Sequence, residues 1–157
     1  VTKVHPPPHE SQKSAHSQLE PPLDMRSKWF APTVAYTMAK YGMSMCVLGM
    51  HEELRSDGIA VNALWPRTTI LTAATGMLAA DNQEIVQKTT RSVDIMADAA
   101  YVMLSRNSRS YTGNFALDDE VLMGLASLIL INTQLIKVGY PLALDIFVDS
   151  FAPSSKL

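Results

Sequence analysis

The sequence predicts an α/β fold with a parallel sheet, and two helix–strand units support this prediction. A helical stretch that starts at Thr33 runs through a tight turn into the apolar segment 59–65. A continuously apolar strand is typical of a parallel sheet that is covered on both faces. A second helical pattern over 93–104 is followed by a second strand-like segment over 112–118. Helices that alternate with strands in this way are characteristic of α/β architecture.

The first helix has recognisable start and stop signals. Thr33 follows Pro32 and is a good N-cap, and Asp57-Gly58 supplies the stop. The single cysteine, Cys46, lies in this helix and is expected to be a buried structural thiol. Apolar residues recur along the helix at helical spacing, and its methionine-rich face is expected to pack in the core or in an oligomer; the recurring residues are Val34, Met38, Met45, Leu48 and Leu54.

The rest of the chain divides into three regions. The proline-rich start, 1–18, is expected to lack regular structure, and 19–120 is expected to be the folded portion. Within that portion, 68–80 has a weak helical pattern, and 82–91 is polar enough to form a short helix or a mobile lid. The remaining segment, 121–157, is a C-terminal extension.

Composition excludes several classes of function. The 157 residues carry a net charge of −2, so no basic surface for nucleic acid is expected. The apolar stretch 121–136 is interrupted by polar residues and is too short to span a membrane, so no transmembrane segment is expected. Four histidines lack a matching set of cysteines or carboxylates, so no metal site is expected; they are His5, His9, His16 and His51.

The chain ends in Ser155-Lys156-Leu157. A C-terminal Ser-Lys-Leu is a peroxisomal address that a receptor reads. The sequence therefore predicts a peroxisomal location and an import receptor as partner. A chance tripeptide at the end of a tail is the alternative.

Tyr36 and Lys40 form the pair with the clearest chemical meaning. Residues four apart on a helix share one face. A free tyrosine has a pKa of about 10, and a neighbouring ammonium favours the phenolate and lowers that pKa. Such a pair can exchange a proton with a carbinol or carbonyl oxygen. The alternative is a solvated helix face that carries the two residues by accident.

The surrounding sequence resembles the short-chain dehydrogenase/reductase superfamily. The stretch from Tyr36 to Met45 is followed by a strand that ends in Asn62 and Pro66, as the Asn-x-x-x-Pro strand does there, and 112–115 reads Thr-Gly-Asn-Phe. The resemblance implies a Rossmann-like, doubly wound parallel sheet. This chain would be its C-terminal portion, with the N-terminal dinucleotide-binding half absent.

The resemblance also implies roles for individual residues. Tyr36 would be the proton donor or acceptor, and Lys40 would tune Tyr36 and bind the nicotinamide ribose. Arg67 replaces the usual glycine, as a cofactor-phosphate contact or as a surface residue. The activity would be NAD- or NADP-dependent oxidoreduction of an alcohol or carbonyl, with a lipid-like small-molecule substrate. The cofactor-binding residues would be Lys40, Pro66, Thr68, Thr69, Ile70 and Thr72.

Two departures from the family pattern affect the activity. The glycines never form the Gly-rich phosphate-binding turn, so the chain alone is not expected to bind the cofactor. Glu20 occupies the position of the catalytic serine, and Ser17 and Ser27 are hydroxyls without the family's spacing. An ionised Glu20 cannot donate a hydrogen bond and would raise the Tyr36 pKa. The alternative function is a non-catalytic interaction or oligomerisation protein, which forms a homo-oligomer or pairs with a full-length relative.

Overall fold

The computed structural model describes residues 15–78, 82–123 and 141–149. Three parallel strands form a sheet in the order β1-β2-β3, and helices follow the strands. The α/β prediction is confirmed. In chain order the elements are β1 (Ala15–Leu19), a 3-10 turn (Ser27–Trp29), α1 (Val34–Glu53), β2 (Ala60–Trp65), α2 (Ala73–Leu78), α3 (Gln83–Thr89), α4 (Asp94–Leu104), β3 (Phe115–Leu117) and α5 (Asp118–Leu122).

β2 is the central strand, and every one of its residues is buried. Its register places Ala60 opposite Ala15 of β1, and Trp65 opposite Leu117 of β3. A strand that is buried on both faces needs an uninterrupted apolar sequence, which is why 59–65 was recognisable.

The strand β1 was not expected in full. Residues 15–18 were assigned to the segment without regular structure, but they form most of β1. Backbone hydrogen bonds to β2 stabilise this strand although its sequence is largely polar, because pairing with a neighbouring strand outweighs weak intrinsic propensity.

The Asn62 side chain of β2 holds the turn that leads into β3. The Asn62 amide group donates to the Tyr111 carbonyl oxygen at 3.2 Å, and its oxygen accepts from the Asn114 backbone N–H at 3.1 Å. Gly113 lies between them with φ +74°, a conformation that favours glycine. The Asn-x-x-x-Pro strand motif therefore has a structural role at its asparagine.

The residues 141–149, which we call the C-terminal strap, pack against the loop that follows β2. Leu144 pairs antiparallel with Thr68, and the Thr69 backbone N–H donates to the Ala143 carbonyl oxygen at 2.9 Å. The Trp65 indole N–H donates to the Ile146 carbonyl oxygen at 2.9 Å. The strap thereby lies across the carboxyl end of β2. The other parts of the predicted extension, including most of 121–136 and the tripeptide at 155–157, lie outside the described residues.

Candidate active site

Helix α1 turns towards the protein a stripe that mixes hydroxyl-bearing and apolar residues, and it leaves several apolar side chains outside. The Thr37 hydroxyl donates to the Trp29 carbonyl oxygen at 2.6 Å, and the Ser44 hydroxyl donates to the Pro21 carbonyl oxygen at 2.8 Å. These bonds hold the loop 20–30 against the helix. The residues of α1 that are buried are Thr37, Tyr41, Ser44 and Val47.

The methionine-rich face was expected to pack in the core or in an oligomer. The core does not cover Met38 and Met45, and packing in an oligomer stays a prediction. Met38 is 64% exposed and Met45 is 52% exposed. Cys46 is also exposed, contrary to the expectation of a buried thiol. The reason is that the loop 20–30 supplies backbone carbonyl oxygens to the buried side of the helix, and hydroxyl-bearing residues satisfy them there.

Tyr36 lies beside this buried stripe and is 46% exposed. Its ring stacks on Phe147 of the C-terminal strap, with ring centroids 6.3 Å apart and planes 2° apart. Burial raises the pKa of Tyr36, and the carboxyl groups of Asp145 and Glu20 raise the pKa further. The expectation that Lys40 lowers this pKa is wrong, whereas the expected effect of Glu20 is confirmed.

The position of the Lys40 ammonium explains that correction. Its Nζ donates to the Leu19 carbonyl oxygen at 3.2 Å and lies 5.5 Å from the centre of the Trp65 ring. Lys40 is thus held by the carboxyl end of β1 and by the face of an indole. A single hydrogen bond leaves other ammonium protons available to a ligand.

Glu20 lies at the same end of β1. Its backbone N–H donates to the Leu64 carbonyl oxygen at 3.0 Å, and its side chain is buried at 4% exposure. Burial raises the pKa of Glu20, and the charge of Lys40 partly opposes this effect. The two alternative hydroxyls lie elsewhere: Ser17 is inside β1 opposite Asn62, and Ser27 is exposed.

Arg67 is neither on the surface nor free to meet a cofactor phosphate. It is 2% exposed, and its guanidinium donates to Asp119 at 2.5 Å and to Glu120 at 2.6 Å. Its backbone N–H donates to Asp118 at 2.9 Å. Arg67 therefore ties the end of β2 to the start of α5.

The predicted cofactor-binding loop is partly covered by the strap. Pro66 is half-buried, Ile70 is a core residue, and Thr72 is exposed and bonds to Thr75. Thr69 donates two hydrogen bonds to the strap, from its backbone N–H to the Ala143 carbonyl oxygen and from its hydroxyl to the Leu144 carbonyl oxygen.

Two groups in this region remain suited to a nicotinamide cofactor. The Thr68 hydroxyl is buried and has no hydrogen-bond partner among the described residues. The Lys40 ammonium lies near the strand ends with protons to donate. The Lys40 ammonium can therefore donate to a ribose or carboxamide group of the cofactor. Thr69 and Ile70 fit a cofactor less well, because the polar groups of Thr69 already have partners and Ile70 is buried.

Neither a metal site nor a membrane-spanning helix is found among the described residues. No group of three or more His, Cys, Asp or Glu side chains there is arranged to hold a metal ion. None of the helices in that part of the chain is both long enough and apolar enough for a bilayer crossing.

Comparison with known proteins decides the family. The chain is 46% identical to hydroxysteroid dehydrogenase-like protein 2 of Xenopus laevis over 152 residues, which are 95% of this chain and 34% of that protein. It superposes on a short-chain dehydrogenase of Mycobacterium thermoresistibile with a TM-score of 0.75 and 42% identity, over 88% of this chain and 48% of that one. The chain is related to the short-chain dehydrogenases/reductases.

A putative dehydrogenase from Xanthomonas campestris shows the same likeness, with a TM-score of 0.76 and 35% identity over 87% of this chain and 48% of that one. No protein-family model matches the chain. The chain spans about a third of the length of the curated relative and just under half of each solved short-chain dehydrogenase. The expected family and fold class are confirmed, for a portion of that fold.

Two residues of the site were not found from the sequence. Asp145 and Phe147 belong to a segment that was interpreted only as an extension. Phe147 packs among the rings of Trp29, Tyr41 and Trp65, at centroid distances of 5.2 to 5.8 Å. A local sequence pattern cannot predict such long-range packing. The one local signal is an aromatic residue between two acidic residues, in Asp145-Ile-Phe-Val-Asp149, which could mark a segment that packs on a site.

Proposed function

We propose that this chain provides the proton-transfer part of an NAD(P)-dependent oxidoreductase that acts on an alcohol or carbonyl of a lipid-like substrate. One observation carries the proposal. Tyr36 and Lys40 of α1 lie beside the carboxyl ends of β1 and β2, in a fold shared with solved short-chain dehydrogenases. Open α/β sheets bind ligands outside the carboxyl ends of their strands.

The proposed chemistry divides between the protein and a cofactor. A bound nicotinamide cofactor supplies hydride transfer, which must be matched by a proton on the substrate oxygen. Tyr36 exchanges that proton through its hydroxyl group. Lys40, anchored at Leu19 and Trp65, holds a positive charge at the strand ends and binds the cofactor's ribose. NAD and NADP both satisfy this scheme.

The surroundings of Tyr36 favour an apolar substrate. One face of its ring lies against Phe147, and the buried cluster behind Phe147 contains Trp65, Leu117 and Val148. This packing keeps water from one side of the phenol. An apolar environment beside the reacting group suits the hydrocarbon part of a lipid-like alcohol or ketone, which is the substrate class we propose.

The proposed location is the peroxisome, on the evidence of Ser155-Lys156-Leu157. The test is import of a fluorescent protein that carries residues 141–157 at its C-terminus. Punctate import that is lost when Leu157 is deleted supports the proposal. Diffuse fluorescence of the unaltered fusion contradicts it.

The activity test compares the complete gene product with this chain. The complete product should reduce 2-decanone with NADPH or NADH, and Tyr36→Phe should lower kcat by about 10²- to 10⁴-fold. Tyr101→Phe, at an exposed tyrosine of α4, is the matched control and should leave kcat unchanged. The isolated chain should show no saturable cofactor binding, and micromolar binding by it contradicts the idea that it acts as part of a larger unit.

The exposed face of α1 supports a second candidate function, a non-catalytic interaction or oligomerisation protein. Val34, Met38 and Met45 are each more than half exposed. Such a protein would co-purify with a full-length relative, and Tyr36→Phe would not change this association. A chain that folds and stays monomeric contradicts this candidate.

A further inference from the structure

Glu20 has an unusual environment for a glutamate. It is 4% exposed, and its Oε2 has no hydrogen-bond partner among the described residues. Its backbone N–H bond to Leu64 extends the β1–β2 pairing and fixes the residue at the carboxyl end of the strand. An ionised carboxylate that is buried without a partner costs several kcal/mol, so this site favours the neutral acid or a ligand that donates to it.

The backbone contacts of β1 place Glu20 in the candidate active site. The Lys40 ammonium donates to the carbonyl oxygen of Leu19, the residue directly before Glu20, at 3.2 Å. The charge of Lys40 accordingly opposes the effect of burial on the Glu20 pKa. Glu20 and Asp145 of the C-terminal strap both raise the pKa of Tyr36, one turn before Lys40 on α1.

We propose that Glu20, in its neutral form, is a catalytic hydrogen-bond donor to the substrate oxygen and acts beside Tyr36. The proposal rests on the function proposed above. A protonated carboxylic acid has an O–H donor, whereas a carboxylate only accepts. Neutral Glu20 therefore does what a serine hydroxyl would do at the end of β1, and the earlier expectation of a defective site holds only for the ionised form.

The electron and proton count of the reduction step is simple. Hydride from the reduced nicotinamide forms a new C–H bond at the carbonyl carbon, and the π pair of the C=O bond moves to oxygen. The Tyr36 hydroxyl gives its proton to that oxygen. Glu20 donates a hydrogen bond to the same oxygen throughout and keeps its own proton, so the negative charge that develops there is stabilised by a fixed donor.

The two protonation states of Glu20 predict opposite pH profiles. If the neutral acid is the active form, reduction slows as pH rises through the Glu20 pKa, because the donor is lost and a negative charge faces the developing alkoxide. If the carboxylate is the active form, reduction speeds up over the same range. We call the part of the pH profile that follows the ionisation of Glu20 the pH limb. Burial raises the pKa of Glu20, so this limb lies at a higher pH than the titration of exposed carboxylates.

The kinetic test uses the complete gene product with NADPH and 2-decanone as the probe. Glu20→Gln keeps the size and an N–H donor but cannot ionise, so it should retain kcat to within about tenfold and lose the pH limb. Glu20→Ala removes the donor and should lower kcat by about 10²- to 10³-fold. A Glu20→Gln variant as slow as Glu20→Ala, or wild-type activity that rises along the limb, would overturn the proposal.

A second measurement does not depend on turnover. In protein labelled with ¹³C at the glutamate carboxyl carbon, the Glu20 signal is assigned by its loss in Glu20→Gln, and its titration midpoint should lie above the ordinary value of a glutamate in a peptide. The Tyr36 hydroxyl should titrate at a lower pH in Glu20→Gln than in wild type. A Glu20 midpoint equal to or below that ordinary value overturns the donor role.

The outcomes separate the two proposals. If Tyr36→Phe abolishes turnover while Glu20→Ala leaves it unchanged, the donor role fails and the proposed function stands. If wild type shows no turnover, or if Tyr36→Phe leaves turnover unchanged, the proposed function fails and the donor role fails with it.

Discussion

Asp118 is a buried carboxyl group and Asp145 is a half-buried one, and both residues hydrogen-bond to the backbone of Arg67 just after β2. Burial raises the pKa of each to about 6, and the charge of Asp118 adds to the effect on Asp145. Asp118 is 1% exposed; its Oδ1 accepts from the backbone N–H groups of Arg67 and Asp119, while its Oδ2 has no partner in the described part of the chain. An ionised Asp118 is therefore less stable here than in water.

This environment predicts a stability that falls as pH rises. An ordinary aspartate loses its proton near pH 4, and folded Asp118 loses it near pH 6, so between these values the folded state binds more protons than the unfolded state. The free energy of unfolding should then decrease from about pH 4 to pH 6, by on the order of 1 to 3 kcal/mol for this group.

Urea unfolding followed by circular dichroism at pH 4.5 and pH 7 measures the effect. Asp118→Asn should remove the Asp118 share of the difference between the two pH values, because an amide cannot ionise, and should leave the share of Asp145 and Glu20, whose pKa values are also raised. Asp57→Asn, at an exposed position, is the control and should preserve the difference. Equal pH dependence in wild type and Asp118→Asn contradicts the prediction.

At the residue scale, the sequence predicted the pair Tyr36 and Lys40 but not the direction in which the pKa of Tyr36 is shifted. The spacing of Tyr36 and Lys40 follows from helix geometry. The direction of the Tyr36 pKa depends on where the Lys40 ammonium lies, and that is set by Leu19 and Trp65 in two strands. A local sequence pattern cannot predict such contacts between different strands and helices.

At the scale of elements, the turn before β3 gives a sharp test. Gly113 has φ +74°, and a Cβ added there would lie 2.6 Å from the Nδ1 atom of His51. Gly113→Ala should therefore destabilise the protein by about 1 to 3 kcal/mol through backbone strain, with an added steric cost. The measurement is the free energy of unfolding in urea.

The two contributions are separable by a second variant. The double variant His51→Ala/Gly113→Ala lacks the imidazole ring, so it should regain the stability lost to the steric clash and keep the loss that comes from backbone strain. Gly49→Ala in α1 is the matched control, because a Cβ there meets no atom within 4 Å, and it should raise stability by up to about 1 kcal/mol. A Gly113→Ala variant as stable as wild type contradicts the described turn.

Phe147 is the side chain through which the C-terminal strap packs among the aromatic rings of the site. Phe147 is 4% exposed and adopts φ 72°, an uncommon conformation for a residue with a Cβ. Its packing must outweigh that cost. Phe147→Ala keeps the backbone cost and loses the packing, so it should destabilise the protein by about 3 to 5 kcal/mol.

Thermal unfolding followed by circular dichroism tests this prediction. Phe147→Leu is the control and should lose less stability than Phe147→Ala, because it retains most of the apolar volume. A drop of less than 1 kcal/mol for Phe147→Ala would show that the strap does not pack on the site as described.

The predicted elements show where patterns succeed. β2 and α4 were recognised because an apolar run and a strong helical period follow directly from burial. β1 was missed because its polar residues owe their conformation to pairing with β2. The outer face of α1 was misassigned because α1 has more apolar residues outside than on its buried side. On part of the buried side the loop 20–30 presents backbone carbonyl oxygens, and hydroxyl groups of the helix bind them.

At the scale of the whole molecule, the described sheet has three strands, whereas the matched dehydrogenases are about twice as long as the matched segment. β1 pairs with one strand among the described residues. The fold class was predictable from helix–strand alternation.

The exposed apolar face of α1 predicts concentration-dependent association of the chain. Met38 and Met45 stand out from this face, and burying such side chains against another surface is favourable by about 25 cal/mol per Å². Met45→Lys should shift sedimentation-velocity profiles towards the monomer. Met77→Lys, at a methionine of α2 that is 74% exposed, is the control, and an equal shift for both variants contradicts a role for α1.

The ring cluster around Phe147 has a practical consequence. The chain has two tryptophans, Trp29 and Trp65, and the Phe147 ring lies 5.8 Å from each of them. Their intrinsic fluorescence therefore reports on the strap without any label. A red shift of the emission maximum would signal that the strap has left the strand ends, so the attachment of the strap can be followed in solution with the unmodified protein.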